Sequence, residues 1–157
     1  MVKINLVVVG RVKEKYFADG IAEYSKRIKR FAEFNIIEVQ EENFSKTDEG
    51  TIRNILEKEK ERLKPHLKGH IFALVIEGKK YSSESFSKQL KTLIDGGQGV
   101  ITFVIGGSYG LHEEIKKQAD GLISFSDMTF PHTLFRLMLT EQIYRAFSLI
   151  NGSAYHK

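Results

Sequence analysis

Residues 103–111 read FVIGGSYGL, and the interpretation of the whole chain starts from this stretch. An apolar run that begins at Val100 ends here, and the glycine-rich segment 106–110 follows it directly. A short apolar run bounded by glycines is typical of a strand buried on both faces, and such strands belong to parallel sheets. The stretch therefore predicts a buried strand, a tight turn at its carboxyl end and a short helix over Leu111–Ala119.

Four more apolar runs flank this strand, and segments with helical spacing separate them. The runs that predict strands are Lys3–Val9, Asn35–Gln40, His70–Ile76 and Leu122–Ser126. The other predicted elements are helices over Tyr16–Phe31, Thr47–Leu63, Phe86–Ile94 and Leu134–Ile150, and a surface turn at Gly78–Lys80. This alternating order predicts one α/β domain over residues 1–157, a three-layer sandwich around a mainly parallel sheet.

The composition limits the kinds of site and compartment that are expected. The 157 residues include no cysteine, so the chain offers neither a disulfide nor a thiolate. No apolar run approaches the about 20 residues of a membrane span, and the first run is too short for a signal peptide. We therefore expect a soluble, cytoplasmic protein without a membrane segment. The five histidines include one i, i+4 pair, His66 and His70, but Pro65 and Gly69 break the helix that would align it, so no metal site is predicted.

Basic side chains gather between residues 11 and 30 of a chain whose net charge is +4, with a pI near 9.2. They are Arg11, Lys13, Lys15, Lys26, Arg27, Lys29 and Arg30. A solvated surface accounts for each cluster taken alone. Their placement together favours a polyanionic partner such as RNA.

The glycine-rich segment 106–110 is a candidate ligand site. In open parallel sheets, ligands bind beyond the carboxyl ends of the strands, and a helix N-terminus there offers free N–H groups. The spacing matches neither the G-x-G-x-x-G dinucleotide fingerprint nor the G-x-x-x-x-G-K-[ST] phosphate loop. Glycines that only turn the chain are the alternative interpretation.

The segment after the fifth predicted strand carries three large apolar side chains in a loop that ends at Pro131. Phe125, Met128 and Phe130 would form either an apolar wall around a heterocycle such as adenine or ordinary core packing beneath the last helix. The sequence leaves both alternatives open.

Polar side chains on the last predicted helix also need an explanation. Arg136, Glu141, Gln142 and Arg145 lie among apolar neighbours, and polar groups on an apolar face must be paired. A symmetric homodimer or a network within the chain would supply the partners equally well. The tail Tyr155–Lys157 adds a phenol, an imidazole and an ammonium group, with an inert chain end as the alternative.

Five motifs occur in a characteristic order: Leu74–Lys79, Phe103–Leu111, Ser124–His132, Glu141–Ala146 and Tyr155–Lys157. Together they resemble the RlmH family, the ribosomal RNA large-subunit methyltransferases H of the SPOUT class. The resemblance extends over essentially the whole chain and departs from the family pattern at 152–154, where a proline commonly precedes the tyrosine. It implies a C-terminal trefoil knot, a homodimer, and methyl transfer from S-adenosyl-L-methionine to N3 of a pseudouridine in 23S rRNA of the assembled ribosome.

The resemblance also carries over individual cofactor positions. They are Leu74, Gly106, Phe125, Ser126, Asp127, Met128, Thr129 and Phe130, which coincide with the strand ends selected above. The methyl group of a sulfonium is already activated, so the protein has to align donor and acceptor and exclude water.

The acceptor nitrogen, unlike the methyl donor, has to be activated. An imide nitrogen such as N3 attacks well only after it loses its proton, so a positioned base or a favourable charge is needed. The candidates are Tyr155, His156, Lys157 and Arg136, the last in the same chain or from a partner chain. The imidazole of His156 is the side chain best suited to exchange a proton near neutral pH. Two alternatives stay open: a ribosome-binding factor without catalysis, and a SPOUT methyltransferase for another RNA nucleotide.

Overall fold

The computed structural model of the chain describes residues 1–43 and 45–156. Its strands are β1 (Lys3–Val9), β2 (Glu33–Val39), β3 (His70–Lys80), β4 (Val100–Ile105) and β5 (Gly121–Ser124). Its α-helices are α1 (Lys15–Ile28), α2 (Glu49–Leu63), α3 (Ser83–Asp95), α4 (Glu113–Gln118) and α5 (His132–Ile150). The strands form one parallel sheet in the order β2-β1-β4-β3-β5. The predicted α/β architecture with a parallel sheet is confirmed.

The sheet is buried on both faces because successive side chains of its central strands point to opposite sides and are apolar on both. On one face, Leu6 of β1 belongs to a core that includes Leu90 of α3 and Ile143 of α5. On the other face, Val7 of β1 belongs to a second core with Ile115 of α4. Two apolar cores on opposite faces of one sheet make the three layers that the sequence predicts.

Helix α5 packs against both α1 and α3. A Cβ added to Gly20 of α1 would lie 2.9 Å from Cδ1 of Leu137, so the two helices approach closely at this point. On the other side, the Ser87 hydroxyl of α3 donates a hydrogen bond to the carbonyl of Ala146, at 3.0 Å. The last helix is therefore fixed over the centre of the sheet, although β5, which precedes it, lies at the sheet edge.

The chain crosses itself where β3 meets β5. Leu74 and Lys79 of β3 both pair with Ile123, so the pairing register shifts between these two residues. The part of β3 between them lies against the backbone of β5. At the crossing, a Cβ added to Gly78 would lie 2.6 Å from the carbonyl carbon of Ile123. The trefoil knot that the resemblance implies stays a prediction.

Several of the predicted boundaries are wrong, and three of them have a clear structural reason. The surface turn predicted at Gly78–Lys80 belongs to β3, because Lys79 and Lys80 pair with β5 and complete the strand beyond the crossing. Strand β5 ends at Ser124, whose hydroxyl donates to the carbonyl of Ser126, at 3.1 Å, as the chain turns. Helix α4 begins later than predicted because the His112 side chain accepts from the N–H of Glu114 and caps it.

Candidate functional site

A cavity of about 770 Å³ opens at the carboxyl ends of β3, β4 and β5. Its volume lies within the about 300–1,000 Å³ that is common for small-molecule sites. The residues predicted to bind a cofactor that line it are Leu74, Gly106, Phe125, Ser126, Met128, Thr129 and Phe130. Asp127, which was predicted with them, does not line the cavity; it is exposed and forms an ion pair with Lys80, at 2.7 Å.

The glycine-rich segment after β4 forms one wall of this cavity. A Cβ added to Gly106 would lie 2.3 Å from the carbonyl oxygen of Gly110, so no other residue fits there without moving the backbone. Gly110 has a φ of +81°, which favours glycine, and its N–H donates to the carbonyl of Gly107 at 3.1 Å. These glycines do turn the chain, and by turning it they place bare backbone against the cavity.

The loop after β5 divides its apolar side chains between the two predicted roles. The ring of Phe125 packs on that of Phe135 in α5, with 4.7 Å between ring centroids, and so contributes to the core. Phe130 is half-buried and lines the cavity, whereas Met128 is 73% exposed at its edge. The loop is thus both core and cavity wall.

A second cavity, of about 520 Å³, lies against the same loop. Four residues line both cavities: Ser124, Phe125, Ser126 and Phe130. The remaining wall of the second cavity combines aromatic side chains, including Tyr24 and Tyr81, with the polar Glu141 and Gln142 of α5. The two spaces therefore share a wall of only a few residues.

Glu141 is the centre of a polar network at the second cavity. Its carboxylate accepts from Nη2 of Arg145 at 2.6 Å, from the Tyr155 hydroxyl at 3.0 Å and from the side-chain amide of Gln142 at 2.9 Å. These polar groups of α5 are therefore paired within one chain. Burial raises the pKa of Tyr155, and hydrogen bonds to Tyr24 and Glu141 raise it further, so this phenol remains protonated and acts as a donor.

His156 lies in the same network with both ring nitrogens engaged. Nδ1 is 3.0 Å from Nη1 of Arg145, and Nε2 is 2.8 Å from a carboxylate oxygen of Glu84 at the start of α3. A guanidinium only donates, so Nδ1 accepts and the ring proton lies on Nε2. Before His156 can accept a proton at Nδ1, it must separate from Arg145. Lys157, predicted with it, lies outside the described residues.

Arg136 is not brought together with the tail. Its guanidinium is buried at the start of α5, where Nη1 lies 2.5 Å from a carboxylate oxygen of Glu38 and Nη2 donates to the carbonyl of Gly10 at 3.0 Å. These partners lie at the ends of β2 and β1, whereas Tyr155 and His156 contact later turns of α5. Within one chain, the three candidates that the structure describes, Tyr155, His156 and Arg136, thus occupy two separate places.

The sequence interpretation missed a buried carboxyl group next to the cavity wall. Glu59 of α2 is only 3% exposed, and its Oε2 accepts from the N–H of Glu42 at 3.2 Å. A Cβ added to Gly107 would lie 3.5 Å from both of its oxygens. Burial raises the pKa of Glu59 to about 7, and the charge of Glu41 adds to the rise.

A Glu59→Gln substitution is expected to remove a pH-dependent loss of stability. The pKa of Glu59 is about 7 in the folded chain and near 4.5 in the unfolded chain. Its contribution to the free energy of unfolding is therefore fully present below pH 4.5 and is lost as pH rises through 7. Between pH 5 and pH 8, the wild type should lose on the order of 2 kcal/mol relative to the variant in urea unfolding. The exposed Glu61→Gln serves as the control, and equal pH dependence in all three proteins would contradict the expectation.

The described part of the chain also bears on membrane insertion and metal binding. Across residues 1–43 and 45–156, no helix combines the length and apolarity that a membrane crossing requires. Over the same residues, no group of three or more His, Cys, Asp or Glu side chains is arranged to hold a metal ion.

Comparison with known proteins gives a consistent result. The family described as "Predicted SPOUT methyltransferase" matches residues 2–156. A protein of Streptococcus uberis, named "Ribosomal RNA large subunit methyltransferase H", is 49% identical over 99% of this chain and 99% of its own. Proteins of Limosilactobacillus fermentum, with the same name, and Methanococcus maripaludis, named "Putative ribosomal RNA large subunit methyltransferase H", are each 48% identical over 98% of this chain and 99% of their own.

Solved structures share the fold at low sequence identity. A probable methyltransferase from Bordetella pertussis superposes with a TM-score of 0.58, at 14% identity, over 92% of this chain and 96% of its own. A probable methylase family protein from Haemophilus influenzae gives a TM-score of 0.54 at 12% identity, over 99% of this chain and 70% of its own. At such identities, the likeness concerns the fold alone.

Proposed function

The chain belongs to the SPOUT methyltransferase family, and we propose that it transfers a methyl group from S-adenosyl-L-methionine to N3 of a pseudouridine in 23S ribosomal RNA. Relatives of nearly equal length and about 48% identity carry the name of large-subunit ribosomal RNA methyltransferases. The observation that carries the proposal is the cavity at the chain crossing. Two segments far apart in sequence, 74–77 and 124–130, meet there around a space of cofactor size.

The cavity fits the proposed cofactor in shape and chemistry. Its wall combines apolar side chains such as Leu74 and Phe130 with bare glycine backbone at Gly106, which suits an adenine ring and a ribose. When bound, S-adenosylmethionine supplies an electrophilic methyl group. The residues of this chain bind and orient it and keep water away from the methyl group.

The second cavity supports the proposed acceptor. It shares the loop Ser124–Phe130 with the first cavity, so a base placed in it would lie across that loop from the cofactor. Tyr24 and Tyr81 offer aromatic faces on which an unstacked base can pack. Glu141 and Gln142 offer hydrogen-bonding groups for the base edge.

The base that removes the N3 proton is proposed to be His156. Tyr155 donates to Glu141 and thereby orients the tail, and Arg145 leaves Nδ1 of His156 when the RNA arrives. Arg136 lies apart from these groups in one chain, so its predicted role requires a homodimer in which α5 of one copy approaches the tail of the other. A homodimer is therefore part of the proposal.

The proposed RNA contact uses the basic residues near the N-terminal end. Arg11, Lys13, Lys26, Lys29 and Arg30 are exposed. Such side chains bind phosphates without reading bases, so a small protein that relies on them would recognise the assembled ribosome rather than naked RNA. A ribosomal substrate also places the protein in the cytoplasm.

The function is tested by methyl transfer to ribosomes from cells that lack this protein. With radiolabelled S-adenosylmethionine, we expect the label in one nucleotide of 23S rRNA within intact ribosomes, and far less label in naked rRNA. Mass mapping of the labelled fragment identifies the nucleotide. Label in another RNA would favour a SPOUT methyltransferase with a different target, and ribosome binding without transfer or cofactor binding would favour a non-enzymatic factor.

A Gly106→Ala substitution is expected to remove cofactor binding without unfolding the sheet. The added Cβ would lie 2.3 Å from a backbone oxygen of Gly110, so the wall must move into or away from the cavity. We expect the affinity for S-adenosylmethionine, measured by calorimetry, to fall by about 100-fold or more, which is about 3 kcal/mol. Gly99→Ala is the control, since nothing lies within 4 Å of its added Cβ. Wild-type affinity in the Gly106 variant would argue against this cavity as the cofactor site.

A further inference from the structure

The buried carboxyl group of Glu59 is in an unusual position. One oxygen accepts the N–H of Glu42, while Oε1 is fully buried and has no hydrogen-bond partner among the described residues. A buried carboxylate oxygen without a donor is costly, whereas a protonated carboxyl group can itself donate. The surroundings of Glu59 therefore disfavour its ionised form.

The carboxyl group of Glu59 lies next to the cavity wall, on the side that faces away from the cavity. Its two oxygens lie 3.5 Å from the position of a Cβ on Gly107, and Cγ1 of Val9 lies 3.0 Å from that position. Gly107 and Ser108 line the cavity, whereas Glu59 does not. The carboxyl group thus supports the wall on the side away from the ligand space.

A second carboxyl group holds the next residue of the wall. Glu41 accepts a hydrogen bond from the Ser108 hydroxyl, at 3.1 Å. The consecutive wall residues Gly107 and Ser108 therefore lie next to two acidic side chains. These are Glu59 and Glu41, which repel each other when both are ionised.

The other groups that face Glu59 do not neutralise it fully. Glu42 adds a further negative charge, and Arg62 of α2 is held by the carboxylate of Glu42 and the carbonyl of Gln40. The neighbour from β1 is the apolar Val9. The imidazole of His132 in α5 and the carboxylate of Glu41 both approach Gly10.

We propose that Glu59 is a positioning residue whose protonation state sets the conformation of the Gly107–Ser108 wall of the cavity. The protonated carboxyl group holds the wall in the arrangement described above. The ionised group, next to the charge of Glu41, displaces the wall and weakens ligand binding. This inference rests on the cofactor assignment proposed above and adds a control of cofactor affinity by pH.

The inference is tested by calorimetry with S-adenosylhomocysteine, the demethylated product, between pH 6 and pH 8.5. We expect the wild-type dissociation constant to rise by about fivefold or more over this range, while that of Glu59→Gln stays nearly constant. The exposed Glu61→Gln, on the same helix, should follow the wild type. Any titration of the ligand itself is common to the three proteins. The same pH dependence in Glu59→Gln as in the wild type would overturn the inference.

A measurement on the wild type alone covers the case in which Glu59→Gln fails to fold. Hydrogen exchange of residues 104–111, corrected for the intrinsic effect of pH, should lose protection between pH 6 and pH 8.5. Residues 139–147 of α5 should keep theirs. Unchanged protection of 104–111 would refute the role of Glu59. Absence of ligand binding at every pH would instead refute the proposed cofactor, and the exchange result would still decide the inference.

Discussion

A Gly78→Ala substitution is expected to destabilise the fold by about 3 kcal/mol and to abolish cofactor binding. The added Cβ would lie within 2.7 Å of three backbone atoms of Leu122 and Ile123. Neither strand can easily move aside, because β3 pairs with β5 both before and after Gly78. Displacing the crossing also moves Leu74 and the loop after β5, which line the cavity.

The effect of this substitution is measured by urea unfolding and by calorimetry with S-adenosylmethionine. Gly99→Ala again serves as the control, because its added Cβ meets open space and its φ is not positive. The control should unfold and bind like the wild type. Equal stability of the two variants would mean that β3 and β5 do not cross as closely as described.

A His156→Ala substitution is expected to lower the rate of methyl transfer by about 100-fold, the contribution of a typical general base. Cofactor affinity should stay unchanged, because His156 does not line the cavity proposed for the cofactor. The measurement is single-turnover transfer of labelled methyl to ribosomes, with binding followed separately. An unchanged rate would remove His156 from the catalytic candidates.

Two further variants separate catalysis from support of the tail. Glu84→Gln weakens the contact that holds Nε2 of His156 and tests whether the tail must be fixed on α3. His66→Ala changes a histidine in the short turn after α2, which lines neither cavity, and should transfer at the wild-type rate. A slow His156→Ala variant whose pH profile keeps the wild-type shape would point to a structural role instead.

The sheet could be predicted from the sequence because its signals are local. The apolar run at 100–105 and the glycines after it define a buried strand without reference to the rest of the chain. The position of the first cavity follows from the parallel order of the strands, which brings the carboxyl ends of β3, β4 and β5 together. Most of the predicted cofactor residues were found at one cavity for this reason.

The crossing at Gly78 could not be read from local signals. Gly-Lys-Lys after an apolar run favours a surface turn by composition, and only pairing with the distant Ile123 extends the strand. Arg136 is a similar case, since its partners Glu38 and Gly10 lie about a hundred residues earlier in the chain. Contacts at such separation depend on the topology of the whole domain.

Glu59 did leave a signal that was overlooked. It lies midway between Ile55 and Leu63 at intervals of four residues, so all three share one face of α2, and all three are buried. The many acidic and basic residues of α2 favour a solvated helix. Glu59 was therefore interpreted as one more exposed charge, although it is buried. A charged residue on the apolar stripe of a helix is worth testing as a buried functional group.

The order of the cavity wall along the chain has a consequence for how the protein is made. Residues from Ser124 to Phe135 complete the wall, and helix α5, which begins among them, is the last element to leave the ribosome. Assembly of the cavity must wait until the last helix has been synthesised and released. The order of biosynthesis thus delays the moment at which a newly made copy can first hold its cofactor.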